Sequence, residues 1–273
     1  MNLTILFPIA GLLTLGAAAL LWLGVRQRDI TTMQQRKPGV GALVTASILL
    51  TLLALVRLNP VTEHGINFTL AAGTASATLL IQLIYLYGIV RHGVQGLGLF
   101  ILPVTALPLM ILPALPEAST PNWVETSSIL EDTHLLTSLV AYAVLTLAAV
   151  HALMYLMLDR ALKRKRLSFL MQALPPLFDI DRYMFAQVRG ATTLIGISIL
   201  SGLSWQWMAY GTFILWNHKV LLALFAFGIL VLLLVKRQKN EWPGRTSSRV
   251  ILAAYVLMLL AYFGVKLITA WLH

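Results

Sequence analysis

The chain has 273 residues, of which 59% are hydrophobic and 11% charged, with 20 Lys plus Arg against 10 Asp plus Glu and no Cys. Soluble domains carry about 25% charged residues, so this composition excludes an ordinary soluble protein and makes a lipid bilayer the solvent. The missing Cys excludes disulfides, thiolate metal sites and Cys nucleophiles, leaving His, Met and carboxylates as the available metal ligands.

A helix needs about 20 apolar residues to cross a bilayer. Such runs fall at 3–25, 39–58, 68–90, 96–114, 134–158, 190–210, 217–235 and 249–271. The predicted fold class is therefore an all-α integral membrane protein. It is one transmembrane domain over residues 1–273, a bundle of eight transmembrane helices with its longest connector at about 159–189. Residues 1–25 lack a basic leader and a small-residue cleavage site, so the first helix is expected to be retained.

Basic connectors stay in the cytoplasm. Seventeen of the 20 Lys and Arg lie on alternate connectors, and the opposite side holds Arg57, Lys219 and Lys266 beside five carboxylates. Both termini are thus expected on the outer, periplasmic side of a bacterial inner membrane. Topology explains the net charge of +10, with the run Lys163 to Arg166 touching anionic lipid and no nucleic acid as partner.

Two connectors carry structure signals. Residues 174–185 join a Pro pair to an amphipathic stretch suited to lying flat on the cytoplasmic face. The outer segment Pro113 to Asp132 ends on Asp132 and Thr133, either of which suits the N-cap of the fifth helix.

Polar groups within a membrane need a partner or a purpose. His64, His134, His218 and His273 fall at the outer face and His92 at the inner. His151 follows His134 by 17 residues on one helix, about 25 Å deeper, and cannot share its site. His134 and His218 each open a helix at the outer surface. Two such imidazoles suit the two faces of a heme iron, with Lys219 and Arg57 placed to pair with propionates; alternatively they sit wet among lipid headgroups. Between the sixth and seventh spans, Trp205, Trp207, Tyr210, Phe213 and Trp216 form either an interfacial aromatic belt or a stacking shelf for a flat cofactor.

Ser198, Ser201, Gly202 and Trp205 make a face that lets another helix come close. Thr74, Thr78, Gln82 and Tyr85 make a polar stripe on the third span, and Tyr255, Tyr262 and Lys266 one on the eighth. These stripes read as inter-helical hydrogen bonding, or as the path of a permease. No span interior holds a carboxylate, which argues against ion coupling. With no catalytic triad, P-loop, paired carboxylates or zinc motif, an independent enzyme is not expected.

Over residues 130–266 the order of motifs resembles the cytochrome c assembly superfamily, in the branch similar to HemX and YpjD. Those motifs are His134 before Ala141-Tyr142, Leu174-Pro-Pro-Leu, Asp181-Arg182, Ser201-Gly-x-x-Trp205, Trp216-Asn-His218-Lys219, Trp242-x-Gly244-Arg245 and Leu260-Ala-Tyr-Phe-Gly264. The resemblance implies a heme-handling membrane protein with heme as cofactor and His134 and His218 as axial ligands, and at most an accessory role in heme attachment. Heme-presenting members carry Trp-Gly-x-x-Trp-x-Trp-Asp and then Pro-Lys-Glu, whereas this chain has Trp205-Gln-Trp207 and a short loop to Trp216. That departure suits an accessory or regulatory place in heme metabolism. Two other readings stand beside it. One is a permease for another small amphipathic molecule. The other is a non-catalytic subunit docking a heme-metabolism or cytochrome-assembly partner through 159–189.

Overall fold

A computed structural model describes residues 3–27, 35–58, 61–62, 65–67, 69–92, 95–114, 123–124, 128–165, 168–211 and 218–261. Among these, six helices are long and apolar enough to cross a membrane: Ile5–Arg26, Lys37–Arg57, Ala71–Val90, Ile129–Lys163, Leu177–Tyr210 and Val220–Gln238. The protein is a multi-pass, almost wholly helical membrane protein. It divides into two compact units, residues 1–126 with 161–176, and residues 127–160 with 177–273.

The first unit holds α1 (Leu3–Gln27), α2 (Lys37–Arg57), α3 (Leu70–His92) and α4 (Gly98–Ile111). On α1, Ala10, Thr14, Ala17 and Leu21 recur every three or four residues and are buried, as are Val40, Val44, Ser47, Thr51 and Ala54 on α2. Lipid supplies no hydrophobic drive between helices, so close packing of small residues and shared hydrogen bonds join them. The shared bonds form a knot. Thr14 Oγ1 lies 2.8 Å from Ser47 Oγ, Gln82 Nε2 donates to Thr14 Oγ1 at 3.0 Å, and the Ser47 hydroxyl reaches the Ala10 carbonyl at 2.9 Å.

Thr78, Gln82 and Tyr85 of the α3 stripe are all buried, and Tyr255 of the eighth span accepts at Oη from Thr146 Oγ1 of the fifth at 3.2 Å. These members of the two stripes are taken up in helix packing, whereas the Thr74 hydroxyl of the α3 stripe is buried without a hydrogen-bond partner among the described residues. Tyr262 and Lys266 lie outside the described residues.

The fourth span is a 14-residue α-helix between two 3-10 turns, Gln95–Leu97 and Leu112–Ala114. Pro103 and Pro108 lie within the α-helix, which runs on past both, and Pro113 lies in the 3-10 turn that follows it. The same unit carries a small antiparallel sheet that the sequence pattern did not predict. Its strands β1 (Val61–Thr62), β2 (Gly65–Asn67) and β3 (Trp123–Val124) pair in that order, with Ile66 opposite Val124.

The second unit holds α5 (Ile129–Lys163), α6 (Leu177–Tyr210), α7 (His218–Gln238) and α8 (Gly244–Leu259). Its core is built from matching stripes at 3.5-residue spacing. Ala141, Leu145, Ala148 and Ala152 on α5 and Met184, Val188, Ala191 and Ile195 on α6 close around Ala226, Leu230, Ile251 and Ala254 from α7 and α8.

Three expectations are corrected here. Residues 177–185 do not form a separate interfacial segment, because α6 runs unbroken from Leu177 into the sixth span. With no Pro or Gly between Pro176 and Gly190, nothing interrupts its hydrogen-bond ladder. The connector expected at 159–189 consequently shrinks to 164–176, with one short helix at Phe169–Gln172. The fifth helix is capped by neither Asp132 nor Thr133. Ser128 Oγ accepts from the Glu131 N–H at 3.3 Å, a Ser-x-x-Glu start, and Thr133 Oγ1 instead donates to the Ile129 carbonyl at 2.7 Å.

At the basic end of this unit, Arg237 pairs with Asp181 and lies 4.4 Å over the Phe185 ring, and Arg245 reaches Asp159 at 4.0 Å. Asp181 of the Asp-Arg motif thus ties α6 to α7, and Arg245 of the Trp-x-Gly-Arg motif reaches from α8 to α5.

Candidate functional site

Because α5 begins at Ile129, His134 stands in its second turn rather than at its first residue. The core stripe explains which way it faces: His134 is seven residues before Ala141. On α6, Ser198 is seven after Ala191 and Gly202 seven after Ile195. All three residues are outward continuations of the two helices' contact stripes, so they meet.

The contact is specific. His134 Nδ1 lies 2.7 Å from the Ser198 carbonyl oxygen and 3.1 Å from Ser198 Oγ, and the Ser198 hydroxyl reaches the His134 carbonyl at 3.3 Å. A carbonyl oxygen only accepts, so Nδ1 must carry the proton. In the neutral ring Nε2 then holds the lone pair, and no described residue hydrogen-bonds it. A metal-ligating imidazole is usually held this way, its far nitrogen donating to a carbonyl or carboxylate. Gly202 completes the seat, since a Cβ there would stand 2.7 Å from His134 Nδ1 and 3.0 Å from Cε1. The residues expected to form a close-packing face thus receive the candidate ligand itself.

Trp205 is on the next turn of α6, half-buried, and meets Tyr210 edge to face with ring centres 5.8 Å apart. Trp207 is 48% exposed and Tyr210 is also exposed. Trp216 and the side chains of His218 and Lys219 lie outside the described residues, although the backbone places His218 at the first position of α7. Arg57 is the last residue of α2 and belongs to the first unit. Among the described residues no three His, Cys, Asp or Glu side chains form a metal cluster, while a heme iron needs only one nitrogen from each face. His134, whose ring is oriented by Ser198 so that Nε2 is left as the donor atom, fits one face.

His151 is a separate matter. It is buried in α5, with Nδ1 2.8 Å from the Leu147 carbonyl of its own helix. Tyr142 of the Ala-Tyr motif donates to the Met258 carbonyl at 3.0 Å, and Gly244 packs on Tyr155. Those motif residues hold the scaffold on which His134 is set.

The fold and this seat define a multi-pass helical membrane protein that presents an oriented imidazole at one end of a four-helix unit. The chain belongs to the family described as Cytochrome C assembly protein, whose model matches residues 41–273. The match reaches back to the second helix, well before the motif-bearing region at 130–266. An Azospirillum brasilense protein described as an uncharacterized 28.8 kDa protein in the nifR3-like 5' region is 33% identical over 138 residues, 50% of this chain and 51% of that one. Inner membrane protein YpjD of Escherichia coli strain K12 is 32% identical over 136 residues, half of each chain. Protein HemX of Brevibacillus brevis is 27% identical over 155 residues, 57% of this chain and 56% of that protein. The chain spans about half the length of the curated relatives it matches.

Proposed function

We propose that this is a heme-binding, heme-handling protein of the bacterial inner membrane that serves cytochrome c biogenesis or a regulatory step of heme metabolism. In this reading the chain makes eight passes with both ends outside, and His134 and His218 are the axial ligands of a heme iron near the outer surface. Trp205, Trp207 and Trp216 shelter the macrocycle, and Lys219 pairs with a propionate. The partner is another protein of heme metabolism or cytochrome assembly. Membership of the cytochrome c assembly family and the likeness to YpjD and HemX support it. The observation that carries it is the His134 ring, fixed by the Ser198 carbonyl at 2.7 Å so that Nε2 remains a lone-pair donor.

Heme-replete expression, detergent purification and a reduced-minus-oxidised spectrum test this reading. The expected result is a Soret and α band of a six-coordinate heme in the wild type, lost in His134→Ala and in His218→Ala. A wild type without either band, and variants that behave like it, overturn the proposal.

A further inference from the structure

We infer that Ser198 and Gly202 are positioning residues for the axial ligand, a seat in α6 that selects the tautomer of His134 and aims its Nε2. The inference rests on the reading of His134 as a heme ligand and adds what holds that ligand. In an α-helix the carbonyl of residue i points at the N–H of residue i+4, so the side chain at i+4 flanks the carbonyl's second lone pair. Position i+4 from Ser198 is Gly202, where an added Cβ would fall 2.7 Å from His134 Nδ1. The missing side chain lets an imidazole from α5 reach a carbonyl that a helix normally screens. The approach is short, 2.7 Å, and it is reinforced by Ser198 Oγ at 3.1 Å.

Two consequences follow for iron bound at Nε2. The ring cannot rotate without losing both contacts. A donated Nδ1 proton also makes the imidazole more electron-rich, which favours the ferric state. Loss of the seat is therefore expected to weaken heme binding and to raise the midpoint potential.

The test compares Gly202→Ala with Gly190→Ala on the same helix, where the nearest atom to an added Cβ is 4.0 Å away. Heme affinity should fall about 10- to 100-fold in Gly202→Ala, with a raised midpoint potential, while Gly190→Ala matches the wild type. A second experiment isolates the carbonyl contact, which no substitution can remove. His134→Gly protein is loaded with heme in the presence of imidazole, 4-methylimidazole or 1-methylimidazole. The first two keep an N–H for the Ser198 carbonyl and should restore the α band; 1-methylimidazole has none and should fail. Equal rescue by 1-methylimidazole, or wild-type affinity and potential in Gly202→Ala, overturns the positioning role and leaves the ligand reading standing. A wild-type spectrum in His134→Gly without added imidazole removes the ligand reading and this inference together. If either variant does not fold, as judged by gel filtration and thermal unfolding, the other decides.

Discussion

His134 and Ser198 are joined by three contacts at once: ring Nδ1 to carbonyl, ring Nδ1 to hydroxyl, and hydroxyl to the backbone carbonyl of His134. One residue of α6 therefore holds both the side chain and the main chain of one residue of α5. Ser198→Ala deletes the two hydroxyl contacts and keeps the carbonyl. Hydrogen bonds of this kind contribute about 0.5–1.5 kcal/mol, so Ser198→Ala should lose about that much stability in a detergent unfolding experiment. Its heme spectrum should persist, because the shortest contact survives. Loss of the α band with unchanged stability would make the hydroxyl, and not the carbonyl, the principal anchor.

Gln82 plays a comparable part in the first unit, where its fully buried amide meets hydroxyls of Thr14 and Ser47. Gln82→Ala opens a cavity among buried groups and should cost about 2–4 kcal/mol. Gln82→Leu fills most of that volume, and Thr14 and Ser47 still satisfy each other and the Ala10 carbonyl, so it should cost less than half as much. Thermal unfolding of the two variants measures the difference, and equal losses would show that the amide's own bonds, rather than its volume, hold α1, α2 and α3.

Much of this architecture was legible because both period and motif survive in three dimensions. The apolar runs marked the helices, and the stripes through Ala141 and Ala191 are ordinary helical repeats. Extending those stripes by seven residues reaches His134 and Ser198, a signal available in the sequence that would have joined the ligand to its seat. The helix start is ambiguous in the sequence because Ser128, Asp132 and Thr133 are all good caps by type. Glu131, three residues after Ser128, was the distinguishing sign. The amphipathic stretch at 177–185 has the same pattern whether it lies on a membrane or packs on a bundle, and only the absence of a helix breaker favoured the second. Pairing of Ile66 with Val124 had no local signal, since a strand of two or three residues is fixed by its distant partner.

Gly244 tests the motif at the basic end. A Cβ there would lie 2.2 Å from Tyr155 Oη and 2.4 Å from Cζ, so Gly244→Ala forces the ring aside. Overpacking of this size costs about 1–3 kcal/mol. Tyr155→Ala removes the obstacle, and the double variant should be more stable than the sum of the two single losses predicts. Strict additivity in unfolding measurements would show that the glycine is not required for the approach of α8 to α5.

Orientation can be read out directly because the chain has no Cys, so a single introduced thiol is the only one present. Ile129, at the start of α5, is 83% exposed, and Lys165 is exposed beyond its other end. These positions bracket a helix of 35 residues, about 50 Å long and more than enough to cross hydrocarbon about 30 Å thick. In the proposed topology the excess of Lys and Arg around position 165 makes that end the cytoplasmic one. In intact spheroplasts a membrane-impermeant maleimide should label Ile129→Cys and spare Lys165→Cys, and permeabilisation should expose both. The reverse pattern would turn the bundle over and put the His134 seat on the cytoplasmic side. Heme would then have to be taken up or delivered on the inner face, and a role in assembling cytochromes outside the membrane would be lost even if the heme spectrum were intact.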